Sequence, residues 1–217
     1  MATPVTPRHA GSLVIHRQSG KGIEVFMGRR HKTARFQPGV YVFPGGMVER
    51  SDHLARSISD LDPLITTKIA VGGSHRRAAA LAMAAVRETF EETGLLVGAP
   101  GNVGPSRDPA WSRFRELDLA PDLRHIGYLG RAITPSTQPI RFHARFFFVS
   151  NEHIYGDIVP SEELEDLQWV SLTDIGSFEM MTVTKLMLKT LSRRLKGEIT
   201  NAPFLSFHNG RRRLRWQ

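Results

Sequence analysis

The feature that most constrains this chain is the run from Ser74 to Thr93, which holds no proline or glycine, is rich in alanine, and stops at Gly94. A serine oxygen can cap the first turn, and a glycine can take the left-handed conformation that ends a helix, so the run is predicted to be one long helix. Near its end Glu88, Glu91 and Glu92 fall at i, i+3 and i+4, which places three carboxylates on one face within about a turn. Acids so close repel one another unless a cation intervenes. Magnesium is the natural counter-charge, because it takes oxygen ligands and shares carboxylates with substrate phosphates. Arg87 reaches Glu91 at i+4 and is placed to hold a ligand in position.

Strands are expected around this helix. Apolar runs at 12–16 and 23–27 flank Gln18-Ser19-Gly20-Lys21-Gly22, the pattern of a hairpin. The run 39–43 ends abruptly in Pro44-Gly45-Gly46, a strand entering a tight loop. Residues 53–73 have no clean period, with short helices at 53–59 and 64–71 as the expectation. A glycine- and proline-rich loop at 98–109 precedes a helical piece at 111–117. Further strands are predicted at 125–133, 140–150 and 167–170, and a last helix at 181–196, where Leu188, Leu191 and Leu195 keep helical spacing. Strands and helices interleave without repeat or dividing linker, which indicates one α/β domain over 1–217.

Composition narrows the chemistry. The net charge of +8 favours anionic partners. Part of the excess is Arg211, Arg212, Arg213 and Arg215, read as a basic, solvated C-terminal tail at about 205–217; no aromatic ladder accompanies them, and nucleic acid is not the expected partner. The absence of cysteine excludes disulfides, thiol catalysis and cysteine-ligated zinc. No apolar run spans a bilayer and residues 1–9 lack a secretory signal, so a cytoplasmic protein is expected. Gly20-Lys21-Gly22 lacks the spacing of a phosphate-binding P-loop, and the histidines form no zinc pattern.

The string Arg87-Glu88-x-x-Glu91-Glu92-x-Gly94, with Phe43-Pro44-Gly45-Gly46 upstream, resembles the Nudix box. In that family a glycine is followed after five residues by an acid and after seven more by the Arg-Glu helix motif. Gly46 takes the glycine and Asp52 the acid, but residues 53–86 then stand where the pattern has seven, an insertion of 27. Thr89 also replaces an apolar residue. A second alignment from Gly73 keeps the spacing but puts Ala79 on the acid and loses the glycine loop, so the split version is preferred. A branch of the family that includes a mammalian peroxisomal coenzyme A diphosphatase is similar in having an insertion in the box, and in a downstream stretch like Ile133-Thr134-Pro135 followed by Arg141-Phe142-x-x-Arg145-Phe146-Phe147. That stretch usually carries an Asp where this chain has His143.

The resemblance implies a three-layer α/β/α sandwich around a mixed β-sheet, with Mg²⁺ or Mn²⁺ at the long helix. It also implies hydrolysis of a diphosphate linkage in a small nucleoside diphosphate derivative: coenzyme A or an acyl-CoA first, a nucleotide sugar or dinucleotide otherwise. Glu88, Glu91, Glu92 and the Gly45 carbonyl are then metal ligands, with Glu88 a ligand or general base braced by Arg87. Glu163, ahead of a predicted strand, is the candidate for a further acid from a distant loop. Arg141 and Arg145 alternate with apolar residues on a predicted strand and are candidates to grip substrate phosphates; a solvated or salt-bridged strand face is the competing reading. A silent Nudix domain acting as a nucleotide sensor or RNA-binding module is the alternative function, and a homodimer is left open.

Overall fold

The computed structural model describes residues 5–34, 36–69, 71–208 and 210–217. Residues 1–4 of the segment read for a secretory signal, Ala70 of the expected 64–71 helix and Asn209 of the expected tail therefore lie outside the described residues. The predicted hairpin is present and longer than its apolar runs, as β1 (Arg8–Ser19) and β2 (Gly22–Arg30). The glycine segment follows β3 (Tyr41–Val42) and is itself a short strand, β4 (Gly45–Met47). Residues 53–59 form no helix; a single 3₁₀ turn at Ser51–His53 precedes them, and α1 (Pro63–Lys68) covers only part of 64–71.

The long helix is α2 (His75–Thr93), capped by the Ser74 side chain, which accepts from the Arg77 N–H, and ended by Gly94 in the left-handed conformation. Beyond it come β5 (Leu96–Val97), β6 (Ala99–Pro100), α3 (Pro109–Glu116) and β7 (Leu119–Ala120). Then follow β8 (Gly127–Ile133), β9 (Phe142–Ser150), β10 (Ile154–Tyr155), β11 (Leu164–Ser171) and α4 (Thr182–Leu195). Residues 205–217 are not a loose tail: β12 (Pro203–His208) and β13 (Arg211–Trp216) make a hairpin. The dipeptide Asn209-Gly210 between them is the sequence signal of a two-residue hairpin connection, masked by the run of arginines.

The main sheet runs β11-β2-β1-β9-β8-β12-β13 and is mixed, with β1 parallel to β9 and β12 parallel to β8. It lies between helices. On one face Leu13, Ile15 and Phe147 pack with Leu81, Val86 and Trp111 under α2 and α3; on the other Val14, Met27 and Phe146 pack with Met187, Leu188 and Leu191 of α4. This is the three-layer sandwich expected.

One departure from regular pairing positions everything that follows. β1 pairs with β2 only from His16 to Ser19, whereas Ala10 to Ser12 pair with β4, so the sheet forks along β1. The helix α2 crosses directly over this fork. A side chain on Gly11 would strike the Leu81 carbonyl, and one on Gly46 would strike the Glu88 carboxylate.

Candidate active site

The box residues meet across the split in sequence. Arg87 Nε and Nη2 lie 2.9 and 3.2 Å from the two oxygens of Asp52, 35 positions away. Nη2 also donates to the Met47 carbonyl (2.8 Å), and Nη1 bridges Glu88 (3.0 Å) and Glu91 (2.7 Å). With its side chain only 3% exposed, Arg87 is a clamp beneath the site, tying the glycine segment, the turn after it and the helix together. Burial works against its charge, but Asp52, Glu88 and Glu91 more than offset this and hold it protonated.

The glutamates divide by partner. Glu92, 3% exposed, accepts one hydrogen bond at Oε2 from the Gly45 N–H (2.8 Å). Burial pushes its carboxyl well above the ordinary range; the Gly45 N–H opposes the shift, and Glu88 and Glu163 add to it. Glu88 is pushed up to about 7 by burial, with Arg87 opposing and Glu91 and Glu163 reinforcing. Glu163, from the segment before β11, lines the same cleft as Glu88 and Glu91. Thr89 and Thr93 face the core instead, each hydroxyl donating to the carbonyl four residues back, which is how polar residues sit on the buried side of α2.

Among the described residues no three acidic or histidine side chains already stand in ligating positions. Arg87 Nη1 occupies the space between Glu88 and Glu91, so an ion has to compete for those two. The donor set nevertheless fits a hard divalent cation. All its members are oxygen donors, and burial raises the carboxyls of Glu88 and Glu92, with Glu163 adding to both shifts, as expected of a site short of positive charge.

Glu88, Glu91 and Glu163 line a cleft of about 630 Å³ and close one end of it, with Glu92 buried behind Gly45. Arg30, at the end of β2, lines that end too, and its buried Nε has no hydrogen-bond partner among the described residues. Sequence reasoning missed it; the only signal was an arginine pair closing a strand. A second hollow, about 750 Å³, adjoins Glu91 on the side of Arg113 and Tyr155, but it contains none of the glycine segment and no other member of the cluster. The acid-ended cleft is therefore the candidate site.

The two strand arginines are a correction. Period two holds along β9, but Phe142, Ala144 and Phe146 line the cleft, while Arg145 points to the opposite face. Arg145 is fully buried and donates to the carbonyls of Ile69 (3.1 Å) and His143 (2.7 Å) and contacts His9 Nδ1 (2.8 Å). Arg141 donates to the Thr134 and Val5 carbonyls (3.1 and 2.6 Å). Alternation gives the period but not which face meets solvent, and β9 is central, so both faces are covered.

No family model matches the chain. The crystal structure of a Nudix hydrolase from Alicyclobacillus acidocaldarius is similar to it at 31% identity, covering 85% of this chain and 90% of that one with a TM-score of 0.63. The chain belongs to the Nudix hydrolase superfamily. Among curated Nudix proteins, nudix hydrolase 7 of Caenorhabditis elegans is 25% identical over 175 residues, which is 75% of this chain and 51% of that protein. The acyl-coenzyme A diphosphatase NUDT19 of Xenopus laevis is 30% identical over 100 residues, 36% of this chain and 26% of that protein. The Nudix chain described here thus spans about half or less of the curated relatives it matches. The Nudix domain of Shewanella oneidensis NrtR, complexed with ADP ribose, shares the fold at 12% identity and a TM-score of 0.52. Among the described residues no helix is long and apolar enough to cross a membrane.

Proposed function

We propose that this Nudix protein is a divalent-metal-dependent diphosphohydrolase acting on a nucleoside diphosphate derivative, with coenzyme A or an acyl-CoA as the first substrate to test. The observation that carries the reading is that Glu88 and Glu91 from α2 line one cleft with Glu163 from a distant segment, Gly45 and Arg30, while Glu92 lies buried behind Gly45, accepting from its N–H. On this reading residues 53–78 are an insertion within the box of a single domain over 1–217.

Glu88, Glu92 and Glu163 would hold the ion, Mg²⁺ or Mn²⁺, with Glu91 joining if Arg87 releases it. When bound, the ion supplies charge neutralisation for the bridging phosphates and a more acidic water. Glu88, which faces the cleft, is a ligand or else the general base for the attacking water. Arg30 offers an unpaired guanidinium edge to a phosphate oxygen. Arg87 is a positioning residue, since its donors are spent on Asp52, Met47, Glu88 and Glu91. The apolar walls of the cleft, among them Phe142, Phe146 and Met181, receive the rest of the substrate.

Assay of coenzyme A species, nucleotide sugars, dinucleotides and nucleoside triphosphates with Mg²⁺ or Mn²⁺, with Glu92→Gln alongside, tests the reading. Product masses locate the broken bond. Equal turnover by wild type and variant would remove Glu92 from the mechanism. A second reading, a Nudix domain that binds without cleaving, rests on the bridge from Arg87 to Glu88 and Glu91; binding with no turnover across the panel would favour it.

A further inference from the structure

The cleft floor is built by one register row across the sheet. Leu205 of β12 pairs with Ala132 of β8, Ala132 with Ala144 of β9, Ala144 with Ala10 of β1, and Ala10 with Met47 of β4, and all five line the cleft. Three successive alanines at its centre leave a trough between larger side chains. Phe36 and Phe142, edge to face at 5.6 Å, stand on one side and Phe146 on the other. The trough therefore runs across the strands, from the carboxylates beside Met47 to the C-terminal hairpin.

That hairpin has two unlike faces. Residues opposite each other in an antiparallel pair share a face. Leu214 lies opposite Leu205 and Arg212 opposite Phe207, and Leu205 and Phe207 both line the cleft. Arg211, Arg213 and Arg215 lie opposite His208, Ser206 and Phe204 on the far face, where the Arg131 guanidinium stacks 3.5 Å over the Phe204 ring. Arg212 alone of the four arginines thus belongs to the cleft side. It is exposed and makes no side-chain hydrogen bond or ion pair among the described residues. At the usual strand spacing, β13 stands roughly 20 Å from β1.

We propose that the β12–β13 hairpin is the specificity element of the cleft. Phe207 packs on a flat or apolar part of the substrate, and Arg212 binds a second anionic group at the end remote from the carboxylates. The preferred substrates then carry a second anionic group roughly 20 Å from the diphosphate that is cut, a distance set by four strand spacings. This rests on the hydrolase reading but concerns residues outside the Nudix box.

Two matched pairs differ by one such group at the acyl end: succinyl-CoA against butyryl-CoA, and glutaryl-CoA against pentanoyl-CoA. With Mg²⁺ present, KM for the member with the terminal carboxylate is expected to be about tenfold lower, as one charge-assisted contact allows. Arg212→Gln should erase that difference, whereas Arg213→Gln, on the far face, should keep it. Phe207→Ala should raise KM for both members of a pair alike. Equal KM within each pair overturns the inference, as does equal loss from the two arginine variants, which would indicate general attraction to a basic edge. Calorimetric binding of the same four compounds separates the two readings. Arg212-dependent binding without turnover removes hydrolysis and keeps the hairpin, turnover without discrimination does the reverse, and no binding of any of the four overturns the inference.

Discussion

Two buried arginines in this protein live in opposite surroundings. Arg87 sits among three carboxylates that hold it charged. Arg145 is held by neutral groups, the carbonyls of Ile69 and His143 and the ring of His9, and burial pulls its guanidinium down to about 10, with Tyr128 opposing and Arg131 reinforcing. Beside it His143 is pushed down to about 3 by burial, Arg145 and Arg131. The first cluster assembles a site from three separated segments. The second fastens the segment around Ile69 to the underside of β9 and leaves the cleft untouched. A buried cation therefore marks function only through what surrounds it.

The largest effects should come from breaking the carboxylate cluster. Glu92→Gln is expected to lower kcat on the order of 10²–10⁴-fold, as loss of a group acting at the reacting centre does, while thermal melting stays level or rises because a buried charge has gone. Arg87→Met should act on both counts, destabilising by about 3–5 kcal/mol in urea unfolding, since it leaves Asp52 buried without its partner. Arg145→Met abandons the neutral acceptors of Ile69, His143 and His9, so a smaller loss of about 1–3 kcal/mol is expected, with kcat unchanged. A loss as large as that of Arg87→Met, or a fall in kcat, would erase the distinction drawn here.

The clusters should also titrate in opposite senses. A carboxyl whose folded value is raised binds a proton that the unfolded chain releases, so Glu88 makes stability fall as pH rises from the ordinary carboxylate value towards about 7. Added Mg²⁺ should therefore raise the melting temperature more at pH 8 than at pH 5. His143 runs the other way, its folded value lying below the unfolded 6.5, so stability is lost as pH falls from there towards about 3. In His143→Gln that acid-side loss should flatten while the response to Mg²⁺ persists. The smallest effect belongs to Arg141→Gln: with its guanidinium spent on the Thr134 and Val5 carbonyls, KM should stay within about twofold, as for a surface substitution away from the site.

What was legible in the sequence follows the reach of local rules. Ser74 and Gly94 fixed the helix ends because capping is decided within one turn. Asp52 could be matched to Arg87 only through the family pattern, since no local rule spans the segment between them. Glu163 was suggested by the family, and it lines the same cleft as Glu88 and Glu91. The faces of β9 were misassigned because alternation is silent about which layer covers which face. Arg30 escaped notice, and Arg212 was grouped with its neighbours as a solvated tail, for a shared reason: strand register, which pairs residues distant in the chain, decides their surroundings.

The fork in β1 has a consequence for how the two sides of the molecule communicate. Because β4 takes over the pairing at Ala10 to Ser12, and Gly46 carries no side chain there, acids borne by a helix on one side of the sheet serve a trough on the other. The sheet acts less as a wall than as a window frame. Whatever lodges in the trough presses against the last turns of α2, and amide exchange there should slow when a ligand binds.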